Sequence, residues 1–432
     1  MHSKGAIVDS SNIAAFAVAV REIDVDISNT ERIDQIGALE DLKSAVCAAQ
    51  AVISIDFENA VRDERRRRGT PTERLSKGVS AQIALARRES PNRGGHLLGQ
   101  ARMLVDDMPN ALELLRTGVL NEWRTSLIIK EIICLDREDR RYIDEQLCAD
   151  PETLRGLGDK RVRGKAYALA VERDCAAIVE RARKAPGQRG VTSRPAPDSM
   201  AYLTALLPMK DAVAVHATLS RDADTIICTH DVVERSKNQI MADLLVERCT
   251  GASTATGVPV EVVIVISDEA LLAGGQEPAH AHGYGPIPAA LARGVVANAI
   301  DNDATVTLRR LYSKPSTGAV TAMESAARAF PKSLATLIDL RDRWCRTPYC
   351  NAPVRHHDHI TPHHAGGATS EHNGADLCEA CNYTKETPGW SARTDGAPGQ
   401  LHSFELATPT GHRYRSTADS TPRPLDVERR AS

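Results

Sequence analysis

Cys345-Arg346-Thr347-Pro348-Tyr349-Cys350 and Cys378-Glu379-Ala380-Cys381 bracket the stretch Val354-Arg355-His356-His357-Asp358-His359-Ile360-Thr361-Pro362, and the reading of this segment decides the C-terminal fold. Two cysteine pairs, one with four residues between its members and one with two, can set four thiolates around a tetrahedral Zn²⁺ at about 2.3 Å. A closed sulfur shell leaves no position for a substrate, so the expected zinc is structural. It would pin two distant segments and hold everything between them as a loop. Four of the 10 cysteines and six of the 14 histidines lie between Cys345 and Trp390. The other cysteines, Cys47, Cys134, Cys148, Cys175, Cys228 and Cys249, are scattered mostly among apolar residues and read as reduced core thiols, not a disulfide framework.

The chain has 432 residues, room for two or three domains. Apolar residues make up 42% and charged residues 26%, which excludes a disordered or collagenous chain. Aromatic residues are only 3%. Net charge is −3 with a pI near 6.5, so there is no global basic field and any nucleic-acid contact must be local. No apolar run approaches the roughly 20 residues of a membrane span, and no basic segment precedes the apolar patch Ala14–Val20. The expected location is cytoplasmic, without membrane contact.

The expected organisation is multidomain: a mainly α-helical N-terminal half, an α+β middle region and a C-terminal zinc-stabilised domain. Residues 1–29 form an entry tail. Residues 30–185 form a helical domain, marked by Leu39, Leu42, Val46 and Ala49 at three- and four-residue steps. Within it, helices at Ser80–Arg88 and about Arg93–Asp106 flank the turn Glu89-Ser90-Pro91-Asn92, a spacing shared by helix-turn-helix units and, more often, by plainly packed helical hairpins. Residues 186–199, rich in Pro and Gly, read as a linker. Over 200–330 the texture predicts strands at Met200–Pro208, Val258–Ile266 and Ala304–Leu311, helices at Asp211–Ser220, Val232–Arg248 and Ala289–Ala299, and a loop at Gly274–Pro288 that leaves His280 and His282 solvated. No phosphate loop or dinucleotide fingerprint is present, so no small-molecule cofactor is expected. Residues 337–390 form the zinc-stabilised domain, 391–418 a β-hairpin extension, and 419–432 a tail that frays.

The order Asp358-His359-Ile360-x-Pro362, Gly366-Gly367, Asn373, then Leu377-Cys378-x-x-Cys381-Asn382-x-x-Lys385, with both cysteine knuckles in place, resembles the HNH nuclease motif of the ββα-metal fold. The layout from about residue 30 to 418 looks like the actinobacterial and mycobacterial proteins that couple a domain of unknown function (number 222) to a C-terminal HNH domain. The resemblance implies a DNA endonuclease that leaves 5′-phosphate and 3′-hydroxyl ends. It implies His359 as general base, a role suited to a neutral imidazole near pH 7. Asp358 and Asn382 offer hard oxygens to Mg²⁺ or Mn²⁺. Asn373 is expected to hydrogen-bond loop backbone and so orient His359. The third motif position is Asn382 where the family name has His, which favours a hard ion.

Adjacent strand residues point to opposite faces, so Asp358 and His359 can serve one phosphate only if the strand ends or bulges there. Lys385, one helical turn beyond Asn382, and Arg346 and Arg355 beside the knuckle are the candidate nucleic-acid contacts. His357 shares a strand face with His359 and is a weaker candidate metal ligand; His356, His363, His364 and His372 read as loop histidines. The other reading of the same residues is a zinc-stabilised DNA-binding or interaction protein without nuclease activity.

Overall fold

The computed structural model describes residues 8–229, 234–251, 262–301, 324–325, 329–395 and 400–420. In chain order come helices α1 (Ser10–Arg21), α2 (Asn29–Arg67), α3 (Val79–Ala86), α4 (Pro91–Arg102), α5 (Pro109–Arg116), α6 (Glu122–Ile132), α7 (Arg137–Cys148), α8 (Asp159–Arg173) and α9 (Cys175–Lys184). Next are β1 (Gly190–Pro195), β2 (Ala201–Leu206), α10 (Met209–Thr229), α11 (Lys237–Thr250), β3 (Ile264–Val265), α12 (Asp268–Leu272), β4 (Ala279–Ala281), β5 (Gly285–Ile287) and α13 (Ala289–Asp301). The C-terminal elements are β6 (Glu324–Ser325), α14 (Lys332–Asp342), β7 (His356–His359), β8 (Thr369–Ser370), β9 (Gly374–Leu377), α15 (Glu379–Lys385), β10 (Ser391–Arg393), β11 (Ser403–Ala407) and β12 (Arg413–Thr417). No described helix is long and apolar enough to cross a membrane.

Contacts divide the chain into two units. Residues up to Asn59 join Leu97–Ile178, while Ala60–His96 join everything from Val179 onward. The first unit is helical, as the apolar periodicity predicts. Its core is aliphatic, built on Ala48, Ile55, Leu104, Leu115, Ile128, Ile132, Ile143 and Leu147, while Trp123 and Tyr167 are exposed. The buried Asp144 carboxylate accepts from the backbone N–H of Asn110 and Ala111, both at 2.8 Å, and so satisfies the start of α5.

Residues 60–96 fall outside the helical unit to which their sequence periodicity assigned them. The reason lies in α3, Val-Ser-Ala-Gln-Ile-Ala-Leu-Ala, which is apolar on most of its surface and is buried nearly throughout. Ala81 and Leu85 share one core with Cys345, Cys350, Ile360, Ala375, Leu377, Cys378, Cys381, Trp390, Phe404 and Leu406. Gln82 accepts a hydrogen bond from Thr410 Oγ1 at 3.1 Å. The two helices expected around the Glu89–Asn92 turn are α3 and α4, and they cross closely at Gly94: a Cβ there would stand 2.4 Å from Ala84 Cβ.

Elsewhere the sequence reading is corrected in four places. The segment read as a linker contains β1, paired antiparallel with β2 from Gly190↔Leu206 to Pro195↔Ala201. Asp198 and Ser199, at φ +58° and +59°, reverse the chain between the two strands, a conformation that composition does not reveal. The segment read as the loop Gly274–Pro288 holds β4 and β5, so His280 lies in the middle strand of the sheet β3-β4-β5 and is buried, not solvated. Burial lowers its pKa to about 4. The C-terminal hairpin is a three-stranded sheet, β10-β11-β12. Of the six scattered cysteines only Cys148 is buried, and Cys175, Cys228 and Cys249 are exposed. The predicted strand Ala304–Leu311 and the tail beyond residue 420 lie outside the described residues, and Val258–Ile266 is described only from residue 262, where β3 forms.

Because Leu85 packs in the same core as the four clustered cysteines, Leu85→Ala is expected to destabilise the second unit by about 2–5 kcal/mol. Denaturant unfolding measures the loss, and amide exchange should rise at Gly374–Leu377.

Candidate functional site

β7 and β9 pair antiparallel in the register His356↔Leu377, His357↔Asp376, Asp358↔Ala375 and His359↔Gly374. β9 is buried along its length, and α14 packs against it while α15 packs against β7. Strand, loop and strand thus succeed one another between the two cysteine knuckles, and the helix α15 starts at the second. Cys345 and Cys350 flank a turn closed by Cys350 N–H to the Thr347 carbonyl at 3.0 Å. Cys378 precedes the first residue of α15, and Cys381 sits in its first turn. All four sulfurs are buried and lie within 4.8 Å of one another, with Cys350 and Cys378 at 3.9 Å. A tetrahedral ion with bonds of about 2.3 Å sets its ligands roughly 3.8 Å apart, so the cluster has the dimensions of a zinc site.

The loop between the strands is closed by Asn373. Its Oδ1 accepts from Thr361 N–H at 2.9 Å, and its Nδ2 donates to the Thr361 and Ala368 carbonyls at 3.0 and 2.8 Å. Its own N–H donates to Ser370 Oγ at 3.1 Å. The expected bonding to loop backbone is therefore present, and it fixes the residues that directly follow His359. Gly367 passes so near this clamp that a Cβ would meet the Thr361 carbonyl oxygen at 1.8 Å, which explains the glycine there.

β7 ends at His359. Asp358 and His359 still pair in register with Ala375 and Gly374, so their side chains leave the last two strand positions toward different neighbours. The His359 ring is held by Thr369, whose Oγ1 is 2.9 Å from Nε2, and by Phe330, with ring centroids 4.6 Å apart. Asp358 faces the helix side. Its Oδ2 is buried without a well-aligned hydrogen bond and lies 2.9 Å from Lys385 Nζ. Asn382 stands one turn earlier on α15, on the stripe that Lys385 continues.

The candidate nucleic-acid contacts separate. Arg355 is exposed. Arg346 is buried, donates to the His402 and Ser416 carbonyls at 3.2 Å each, and lies 3.5 Å from Asp342. Lys385 is buried too, donating to the His359 carbonyl at 3.0 Å and to Glu386 at 2.8 Å. Neither cation is at the surface where a phosphate would meet it. Both cations are committed to internal carbonyls and carboxylates, which spacing along a helix or beside a knuckle does not reveal.

Two carboxylates and a hydroxyl near the strand were missed by sequence reasoning: Asp339 on α14, Asp376 on β9 and Thr369 on β8. His357 Nε2 lies 3.0 Å from Asp339 Oδ1 and 3.6 Å from Asp376 Oδ1. Burial, with Asp342 and Asp339 nearby, pushes Asp376 up to about 9. Asp376 carried a signal in retrospect, being a charged residue inside an otherwise apolar strand. Asp339 carried none, since it reads as an ordinary surface position of an amphipathic helix.

Two family models match the chain: a domain of unknown function (DUF222) over residues 37–342, and the HNH endonuclease over residues 345–387. Neither a search of curated proteins nor one of solved structures finds a match.

If Lys385 is an internal counter-charge, Lys385→Met should destabilise the second unit by roughly 2–3 kcal/mol, below the range for a fully buried pair because Asp358 keeps some exposure. Arg355→Met should change stability by less than about 0.5 kcal/mol. Chemical denaturation of the two variants checks the contrast.

Proposed function

Because the chain belongs to the DUF222 family and continues into an HNH endonuclease module, we propose that it is a metal-dependent DNA endonuclease acting at the end of β7. The observation that carries this reading is the adjacency of Asp358 and His359 where β7 stops, with Asn382 on the helix packed against that strand. The donor types suit a hard dication: Asp358 offers a carboxylate, whose Oδ2 lies 2.9 Å from Lys385 Nζ, and Asn382 offers an amide oxygen from the helix packed on β7. Asp358 and Asn382 would hold Mg²⁺ or Mn²⁺. Such an ion, when bound, neutralises charge that gathers on the phosphorane-like transition state. His359 takes the proton of the attacking water on its imidazole. Thr369 keeps that ring oriented, and Asn373 keeps the chain after it from drifting. Arg355 offers its guanidinium to the DNA backbone. The Cys345, Cys350, Cys378 and Cys381 cluster holds a structural Zn²⁺ that keeps the two knuckles joined.

One observation favours a second reading, a zinc-stabilised nucleic-acid-binding module without nuclease activity. Lys385 already neutralises the carboxylate that would hold the catalytic ion.

Nicking of supercoiled plasmid with Mg²⁺ or Mn²⁺ separates the two. The nuclease reading expects wild type to nick and His359→Ala to slow nicking by about 100-fold or more. No nicking with either ion, or nicking unchanged by His359→Ala, leaves the binding module, which a gel shift with the same DNA then tests. Separately, Cys378→Ser is expected to lose about one zinc equivalent per chain by elemental analysis, together with the fold of the HNH module.

A further inference from the structure

We propose that Asp339, His357 and Asp376 form a second divalent-metal site, on the face of β7 opposite Asp358. Strand alternation puts His357 on that other face, where α14 supplies Asp339 and β9 supplies Asp376 directly across the register from His357. One ligand atom from each residue lies within 4.8 Å of the other two. Ligands bound at about 2.0–2.2 Å around one ion have mutual distances of roughly 3–4.4 Å, so small side-chain adjustments suffice to close the shell.

Asp376 is the observation that asks for a cation. Its side chain is fully buried, and neither carboxylate oxygen accepts a well-aligned hydrogen bond from a described N–H or O–H donor; its polar neighbours are the Asp339 carboxyl and His357 Nε2, the latter at 3.6 Å. The nearby arginines are committed elsewhere. Arg341 forms a two-pronged pair with Asp342 at 2.7 and 2.8 Å and donates to the Gly374 carbonyl, and Arg346 also faces Asp342. An ionised carboxylate in this position is costly unless a cation sits on it, the alternative being that it keeps its proton. Asp339 and His357 are each about a third exposed, which provides an entry path and room for water to complete the coordination.

The donor set is one imidazole and two carboxylates. That mixture suits a first-row transition dication such as Mn²⁺ or Zn²⁺ better than Mg²⁺, which takes oxygen ligands and keeps its water. The ion would have a structural consequence. α14 ends at Asp342, the last residue of the DUF222 match, whereas β7 and β9 belong to the HNH match, so one ion would cross-link the two across their junction.

The test uses the full-length chain with Mn²⁺ and Zn²⁺ as probes, reading Mn²⁺ binding by electron paramagnetic resonance and the thermal midpoint with and without each ion. Asp376→Asn and Asp339→Asn should each weaken one binding site by roughly tenfold or more and abolish the midpoint rise the ion produces. Asp358→Asn should leave that site in place. Asp339→Asn changes a partly exposed helix residue and carries the test should Asp376→Asn fail to fold. The proposal is overturned if the folded variants bind as wild type does, or if the wild-type chain takes up no ion beyond those that depend on Cys378 and Asp358.

Discussion

The convergence of Cys345, Cys350, Cys378 and Cys381 on one buried point is the constraint on which the C-terminal module depends. The elements it joins are too small to hold themselves: β7 and β9 have four residues each and α15 has seven. Isolated hairpins and helices of that size are marginal in water. Drawing the turn after α14 onto the first turn of α15 fixes both ends of the segment that carries Asp358, His359 and Asn373, and the start of the helix that carries Asn382. The loop inside is then closed by Asn373 and by the close passage at Gly367, so His359 is positioned by covalent neighbours whose own places are already set.

The module is not a self-contained unit appended to a helical domain. α3 contributes Ala81 and Leu85 to the core around the cysteines, and Gln82 is bonded to Thr410. A helix far upstream therefore supplies apolar surface that a segment of some forty residues cannot generate from its own composition. The family-matched region and the HNH region share a core in this unit, which gives the family domain a physical means of acting on the module's stability.

Charge inside the module is arranged in two layers separated by the plane of β7 and β9. On the α15 side, Lys385 sits against Asp358. On the α14 side, Arg341 and Arg346 neutralise Asp342, and Asp376 is left without a comparable partner beside His357 and Asp339. Alternation along a four-residue strand is what makes neighbouring residues belong to different electrostatic environments. Arg346 and Lys385 show the same lesson from the cation side. Their charge and spacing invite a surface role, but burial turns them into internal counter-ions.

What was legible in the sequence were features set by local chemistry: cysteine spacing that predicts a tetrahedral cluster, the Asp358-His359 to Lys385 order that resembles an HNH motif, and the aliphatic periodicity of the helical part. An asparagine between two loop ends, such as Asn373, could also be read as a clamp, because its carboxamide both donates and accepts. Features that depend on partners distant in the chain were hidden. The β1 and β4–β5 strands form from segments whose Pro and Gly content looks irregular, because pairing and consecutive left-handed residues override composition. The sequence by itself determined which residues could bind a metal and in what order they stand. Only the tertiary structure decided that α3 belongs to the module's core, that Arg346 and Lys385 face inward, and that Asp339 and Asp376 meet at His357, because burial and charge neutralisation depend on contacts between segments far apart in the chain.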